Sequence, residues 1–357
     1  MAATKSDTSD KETGVMLGFV EEADAWQLCS PQFPSKVGGG PAWLSQSDLP
    51  TLSNLTCAKC QLPTAFLLQV YAPIVGQDCS FHRTLFVFCC KTPTCHTRNN
   101  NQCFKVFRSQ LSRKNDFYPY EPPLDEECEE SGGDLALESR IKLCRLCGCP
   151  GQKACSRCHA VIYCSKEHQT IDWKHSHKKE CCKEAATITV VHTSPFLFPE
   201  FELVTEPEQF GGKDELTVDV EDSETNPTDN DLDENELEDM ALHETQDSKV
   251  VQKFKQRTSV EPHQVLRYER GGSPLWVSSE HKPHEENIPK CPCGAKRFFE
   301  FQVMPQLLIN LKVDSTDASI DWGTLVVYTC ADSCDQGNKY VPEFIWKQDF
   351  YMDQLPV

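Results

Sequence analysis

The sequence predicts a mostly β protein of the α+β kind, a single domain made of two duplicated β-rich halves held by thiols, with a compact Cys/His module and an acidic linker inserted. Three observations predict it. Runs of β-branched and aromatic residues, ended by proline, cysteine or turn residues, occur in both outer thirds of the 357-residue chain. A spaced set of glycine, tryptophan and cysteine positions recurs from one outer third to the other. From Glu206 to Asp247 there are 17 acids and one base, Lys213, so 16 of the 19 excess negative charges sit in one stretch.

The compartment comes first, because it decides how 21 cysteines are read. No run of 18 or more apolar residues occurs, and the first fifteen residues carry neither a basic n-region nor an apolar core. Neither a membrane span nor a secretory leader is expected. An unsecreted chain sits where structural disulfides do not persist, so the cysteines are read as metal ligands.

Residues 15–120 form the first half. GGGPAW at Gly38 to Trp43 is echoed by GGSPLW at Gly271 to Trp276 in the second half, residues 249–357. Trp43 lies 14 residues before Cys57, and Trp276 lies 15 before Cys291. Cys60 is nine residues before Gln69-Val70, and Cys293 nine before Gln302-Val303. Phe88-x-Cys90 matches Tyr328-x-Cys330, Cys95 matches Cys334, and Phe107 and Trp346 each lie 12 residues beyond that last cysteine. The repeat chooses Cys90 over its neighbour Cys89. Each half then offers four thiolates, Cys57, Cys60, Cys90 and Cys95 in the first and Cys291, Cys293, Cys330 and Cys334 in the second, enough to close one zinc site apiece. Buried free cysteines are the competing reading, stronger in the second half where C-x-C is tighter than the usual C-x2-C. FLLQVYAP and TLFVFC, then FFEFQVMP and TLVVYTC, read as metal-tied hairpins. Their long apolar runs suggest strands covered on both faces, so the halves are expected to pack on one another. GG-x-P-x-W reads as a permissive turn with an aromatic anchor.

An acidic linker, 121–139, separates the first half from the central module, 140–185. There the spacing is Cys144-x2-Cys147, Cys155-x2-Cys158, Cys164-x3-His168 and His177-x3-Cys181, eight ligands for two tetrahedral sites. With every position filled by protein, neither site could activate water. The spacing, with YCSKEHQ from Tyr163 and W-x3-H-K-x2-C from Trp173, resembles the MYND zinc finger. That resemblance implies an interleaved ligand set, Cys144, Cys147, Cys164 and His168 in one site and Cys155, Cys158, His177 and Cys181 in the other. Most MYND fingers have Cys where His168 stands. It also implies recognition of short proline-containing peptides. Cys149, Cys182, His159 and His175 fall off the pattern, and the lysines from Lys166 to Lys183 read as a solvated helix face. A connector, 186–205, leads into the disordered acidic linker, 206–248, which is either a solvated spacer or an arm for a basic partner. Direct nucleic-acid binding by so acidic a segment is disfavoured.

LGFVEEADAW, FPSKVGGGPAWL, FLLQVYAP, KVFRSQL, CGAKRFFEFQVMPQLL, IDWGTLVVYTCADSC and EFIWKQDF, placed around a MYND finger, resemble the programmed cell death protein 2 family. The resemblance implies a nuclear and cytoplasmic zinc protein that chaperones one basic small-subunit ribosomal protein, eukaryotic ribosomal protein S-two, in small ribosomal subunit biogenesis. It also carries an association with apoptosis. The alternative is a nuclear transcriptional regulator that recruits proline-containing corepressor peptides through the finger, with DNA contact. An enzyme is not expected: there is no G-x-G-x-x-G or P-loop, no H-E-x-x-H and no G-x-S-x-G. Seven cysteines stay unassigned: Cys29, Cys79, Cys89, Cys103, Cys128, Cys149 and Cys182.

Overall fold

The computed structural model describes residues 14–124, 142–182, 194, 196–209, 248–313 and 319–350. Most of the two acidic stretches, and Cys128 with them, lie outside the described residues. The strands are β1 (Met16–Glu21), β2 (Lys36–Val37), β3 (Ala65–Tyr71), β4 (His82–Cys89), β5 (Phe104–Leu111), β6 (Lys153–Ala154), β7 (Ile162–Tyr163), β8 (Phe201–Pro207), β9 (Leu266–Tyr268), β10 (Arg297–Val303), β11 (Thr324–Cys330) and β12 (Val341–Gln348). Helical segments include α1 (Lys166–Asp172), which runs on through Trp173–His177 and Lys178–Glu180, α2 over residues 248–260 and α3 (Leu307–Asn310). Among the described residues no helix is long and apolar enough to cross a membrane.

Ten strands close into one antiparallel barrel in the order β1-β8-β2-β3-β4-β5-β12-β11-β10-β9, with β9 returning to β1. Strands from both outer thirds therefore share one wall, joined where Val106 to Arg108 of β5 pair with Val341 to Glu343 of β12. Closure removes the free edges that a sheet otherwise exposes. Every residue of β4 is buried, because both of its faces are covered. Leu85, Val87 and Cys89 point into the barrel with Val106, Leu203, Phe301, Val303, Leu325 and Val327. Phe86 and Phe88 point outward, into a second core with Trp43, Phe66 and Phe107.

β8 corrects the sequence reading, which placed Phe201–Pro207 in the connector and the start of the acidic linker. Its acids mislead: Glu202 and Glu206 alternate with Leu203, and pairing with β1 and β2 buries Leu203 in the barrel. Helix α2 was likewise not anticipated; its Phe254 packs with Leu275, Val277 and Met304.

The two GG-x-P-x-W segments make the same contacts. Gln69 of β3 accepts from Ala42 N–H at 2.9 Å and donates to the Ala42 carbonyl, while Gln302 of β10 accepts from Leu275 N–H at 2.6 Å and donates to the Leu275 carbonyl. Both strands also carry a register shift just before that glutamine, between Phe66 and Leu68 and between Phe299 and Phe301. Gly38 has φ of +66°, and a Cβ there would lie 1.9 Å from the Pro199 carbonyl oxygen, so the turn needs glycine.

A buried ion pair crosses the barrel. Arg83 of β4 and Glu300 of β10 are both wholly inaccessible to solvent, and Nη2 donates to Oε2 at 2.7 Å. Glu300 also accepts from the Tyr268 hydroxyl at 3.1 Å, and Thr329 donates to it. A second link joins Arg108 of β5 and Arg297 of β10 to the two oxygens of Glu343.

Candidate metal centres

All sixteen candidate ligands fall into four groups in the structure: Cys57, Cys60, Cys90 and Cys95; Cys144, Cys147, Cys164 and His168; Cys155, Cys158, His177 and Cys181; Cys291, Cys293, Cys330 and Cys334. Within each group the donor atoms lie within 4.8 Å of one another. Zinc with sulfur at about 2.3 Å in a tetrahedron sets thiolates about 3.8 Å apart. The Sγ separations are 3.5 Å for Cys60 to Cys90, 3.7 Å for Cys147 to Cys164, 4.0 Å for Cys155 to Cys181, and 3.6 Å for both Cys291 to Cys334 and Cys293 to Cys330. The donor sets and spacings fit zinc, and four protein donors leave no coordination position for substrate.

Local backbone explains the geometry. In each group the first pair of cysteines sits on a tight knuckle, in which the N–H after the second cysteine donates back to the carbonyl of the first: Gln61 to Cys57 at 3.0 Å, Gly148 to Cys144 at 2.8 Å, His159 to Cys155 at 2.9 Å and Gly294 to Cys291 at 2.8 Å. All four donors have left-handed φ, between 56° and 94°. The C-x-C of the last group is thus the same knuckle with one residue fewer. His159, off the ligand pattern in sequence, closes a knuckle. The first two ligands of each outer group precede a hairpin, and the last two lie at or just beyond the end of its second strand. The sites therefore clamp the open ends of β3–β4, where Ala65 pairs with Cys89, and β10–β11, where Arg297 pairs with Cys330.

Electrostatics favours thiolate at one less buried donor in each outer group. Burial pushes Cys60 up, but the Leu62 backbone, the Thr92 hydroxyl and neighbouring thiols outweigh it and hold the group at about 7. The Ala295 backbone leads in drawing Cys293 down to about 7. Arg108, from the first third of the chain, donates to Cys334 Sγ at 3.4 Å, a contact across the barrel seam that no spacing rule signals. In the central module His168 turns Nδ1 to Cys164 at 3.0 Å and His177 turns Nε2 to Cys158 at 3.5 Å. Ser165 caps α1 by accepting from the His168 N–H, which fixes where that imidazole starts. Of the unassigned cysteines, Cys89, Cys103 and Cys149 are buried and Cys29 and Cys182 exposed.

The central module is not a pendant. Trp43 donates from Nε1 to the Gly148 carbonyl at 2.8 Å, and Leu146, Cys147, Val161 and Tyr163 share the second core with the outer face of the barrel. Tyr340, from the loop before β12, closes this seam against Trp43 at 5.1 Å and bonds Ser45 through both backbone groups.

Comparison with known proteins agrees with this layout. Residues 14–125 match the N-terminal domain of programmed cell death protein 2, and residues 248–349 its C-terminal putative domain. A protein from Bos taurus named programmed cell death protein 2 is 52% identical over 339 residues, covering 93% of this chain and 96% of its own. The chain belongs to the programmed cell death protein 2 family. Residues 144–181 match the MYND finger, a zinc-binding protein-interaction module and a non-enzymatic type of domain. Within the wider family, human programmed cell death protein 2-like is 27% identical, covering 86% of this chain and 87% of its own. A Schizosaccharomyces pombe protein named probable 20S rRNA accumulation protein 4 is 24% identical, covering 91% and 93%. No solved structure matches.

Proposed function

We propose that this family member is a non-catalytic, zinc-held adaptor and dedicated chaperone for a basic small-subunit ribosomal protein, eukaryotic ribosomal protein S-two, in small-subunit biogenesis in the cytoplasm and nucleus. The observation that carries the reading is the likeness, along nearly the whole chain, to a relative named for 20S rRNA accumulation. The charge supports it. A new ribosomal protein without its RNA is strongly basic, and the acid-rich 206–247 stretch would screen it, with release by competing RNA. In the same reading the sixteen clustered residues hold four zinc ions, and residues 15–120 and 249–357 are duplicated halves. The matched Gln69 and Gln302 contacts support that duplication. The finger at 140–185 and the linker at 206–248 are then insertions.

Native mass spectrometry of the tagged chain, purified from cells at moderate salt, tests this. Four zincs per chain and one ribosomal protein near one-to-one are expected. A broad set of basic proteins, or a proline-containing corepressor in place of the ribosomal protein, refutes it.

A further inference from the structure

Away from the metal centres, a cavity of about 520 Å³ opens between the end of β3, the start of β4 and the segment that follows β5. Its size suits a small ligand or a single peptide side chain with its backbone. The walls are mainly apolar: Phe33, Tyr71, Phe81, His82 and Tyr118, with prolines at the rim. Phe33 adopts φ 50° and ψ 49°, a left-handed conformation that bulky side chains rarely take. This conformation places its ring flat on His82, 4.1 Å between centroids, and edge-on to Tyr118 at 4.6 Å. Strain of this kind persists where the surroundings over-determine it, and it concentrates at ligand clamps. The Tyr71 hydroxyl and His82 Nδ1 are 3.0 Å apart, which orients the imidazole.

Two charged groups line the cavity, Glu121 at its exposed edge and the half-buried Arg113, and the second is unanswered. The Arg113 guanidinium lies over the rings of Tyr120, at 4.0 Å, and Phe81, at 5.2 Å. Its Nε is buried without a hydrogen-bond partner, and among the described residues no carboxylate lies within ion-pair distance of it. A buried donor without an acceptor is unfavourable, and a ligand that supplies the acceptor relieves it. An aromatic box of this kind would ordinarily suit a cation. Here Arg113 repels one and favours an anion.

We infer that the cavity bounded by Phe33, Tyr71, His82, Tyr118 and Arg113 binds a flat apolar group that carries one negative charge, the apolar part between the rings and the anion on the guanidinium. The inference does not depend on the ribosomal reading. Two sources share this chemistry, a free aromatic acid and the carboxylate end of a peptide whose last residue is aromatic.

Ligand-observed NMR on the full zinc-loaded chain separates the possibilities. The probes are phenylacetate, benzyl alcohol and benzylamine, together with the tripeptide Gly-Gly-Phe as free acid and as amide. Phenylacetate or the tripeptide acid should bind at least tenfold more tightly than its neutral counterpart, and benzylamine should not bind. Whichever acid binds more tightly identifies the source. Arg113→Gln should remove the preference for acid and leave benzyl alcohol binding unchanged, while Arg113→Lys should retain most of it. Phe33→Gly tolerates the left-handed backbone while removing the stacked ring, so binding of acid and alcohol alike should be lost while hydrogen exchange at β10 and β11 stays as in wild type. Benzylamine binding as well as phenylacetate, acid binding indifferent to Arg113→Gln, or no binding by either acid overturns the inference.

Discussion

Replacing Arg83 by Met should destabilise the barrel by about 3–5 kcal/mol at neutral pH, the range for removing one partner of a buried ion pair. The structure supports the full range. Both side chains are wholly buried, and two nitrogens of one guanidinium meet the two oxygens of one carboxylate. At an effective dielectric of about 20, unit charges about 4 Å apart attract by about 4 kcal/mol. Arg83 also donates to the Ala72 carbonyl at 3.2 Å and to Ser333 Oγ at 3.1 Å. Burial pushes the Glu300 carboxyl up, but Arg83 outweighs it and holds the group below its ordinary value. Wild-type Glu300 therefore contributes stability that is present above the unfolded carboxylate pKa and lost as pH falls through the folded one. Without Arg83, burial is opposed only by the hydroxyl contacts and the charge of Arg270, so the carboxyl is expected to take up a proton more readily, and the deficit of the variant should shrink as pH falls. The assay is urea unfolding in zinc-replete buffer, read by hydrogen exchange at β4 and β10, for wild type, Arg83→Met, Glu300→Leu and the double variant. The double variant should recover to within about 2 kcal/mol of wild type, because two apolar side chains leave no orphaned charge. A loss below 1 kcal/mol for Arg83→Met, or strictly additive single effects, would refute the reasoning.

Trp43→Phe keeps an aromatic ring in the second core but removes the bond to Gly148, about 1 kcal/mol. Amides from Gly148 to Tyr163 should then exchange about fivefold faster with β10 and β11 unchanged, and equal acceleration in both places would sink the docking argument. Burial, then Arg113, draws the His82 imidazole from 6.5 down to about 4. The unfolded chain thus binds the extra proton first, and this stability is intact above about 6.5 and lost as pH falls towards 4. Between pH 7.5 and 5.5 wild type should lose about 1 kcal/mol more than His82→Phe, measured by urea unfolding; parallel curves would contradict it.

The metal groups were legible because ligand chemistry demands fixed local spacing, and because comparing the halves separated Cys90 from Cys89, which lie on opposite sides of the end of β4. β3, β4, β10 and β11 were legible as apolar, β-branched runs. β8 was not, since its outward acids resemble those of the stretch that follows, and only pairing with β1 reveals Leu203 as core. The seat of the finger was illegible for another reason: Trp43 and Gly148 meet across 105 positions, and no periodicity reports so distant a bond. Arg83 and Glu300, 217 positions apart, read as two ordinary strand charges until the barrel brings them together. The knuckle-closing residue was missed because Gln61, Gly148, His159 and Gly294 share a backbone angle and no side-chain type.

Because β1 is flanked by β8 and β9, the first strand leaves the ribosome with neither neighbour yet synthesised. At about 5–20 residues per second it waits tens of seconds for Phe201–Pro207 on one side and longer for Leu266–Tyr268 on the other. Until those neighbours arrive the nascent chain presents a bare hydrogen-bonding ribbon, and metal capture at Cys57 to Cys95 can lock the β3–β4 hairpin well before that ribbon is satisfied. If those four thiols take zinc, its supply during synthesis, and not only in the finished protein, bears on how much of the chain escapes aggregation.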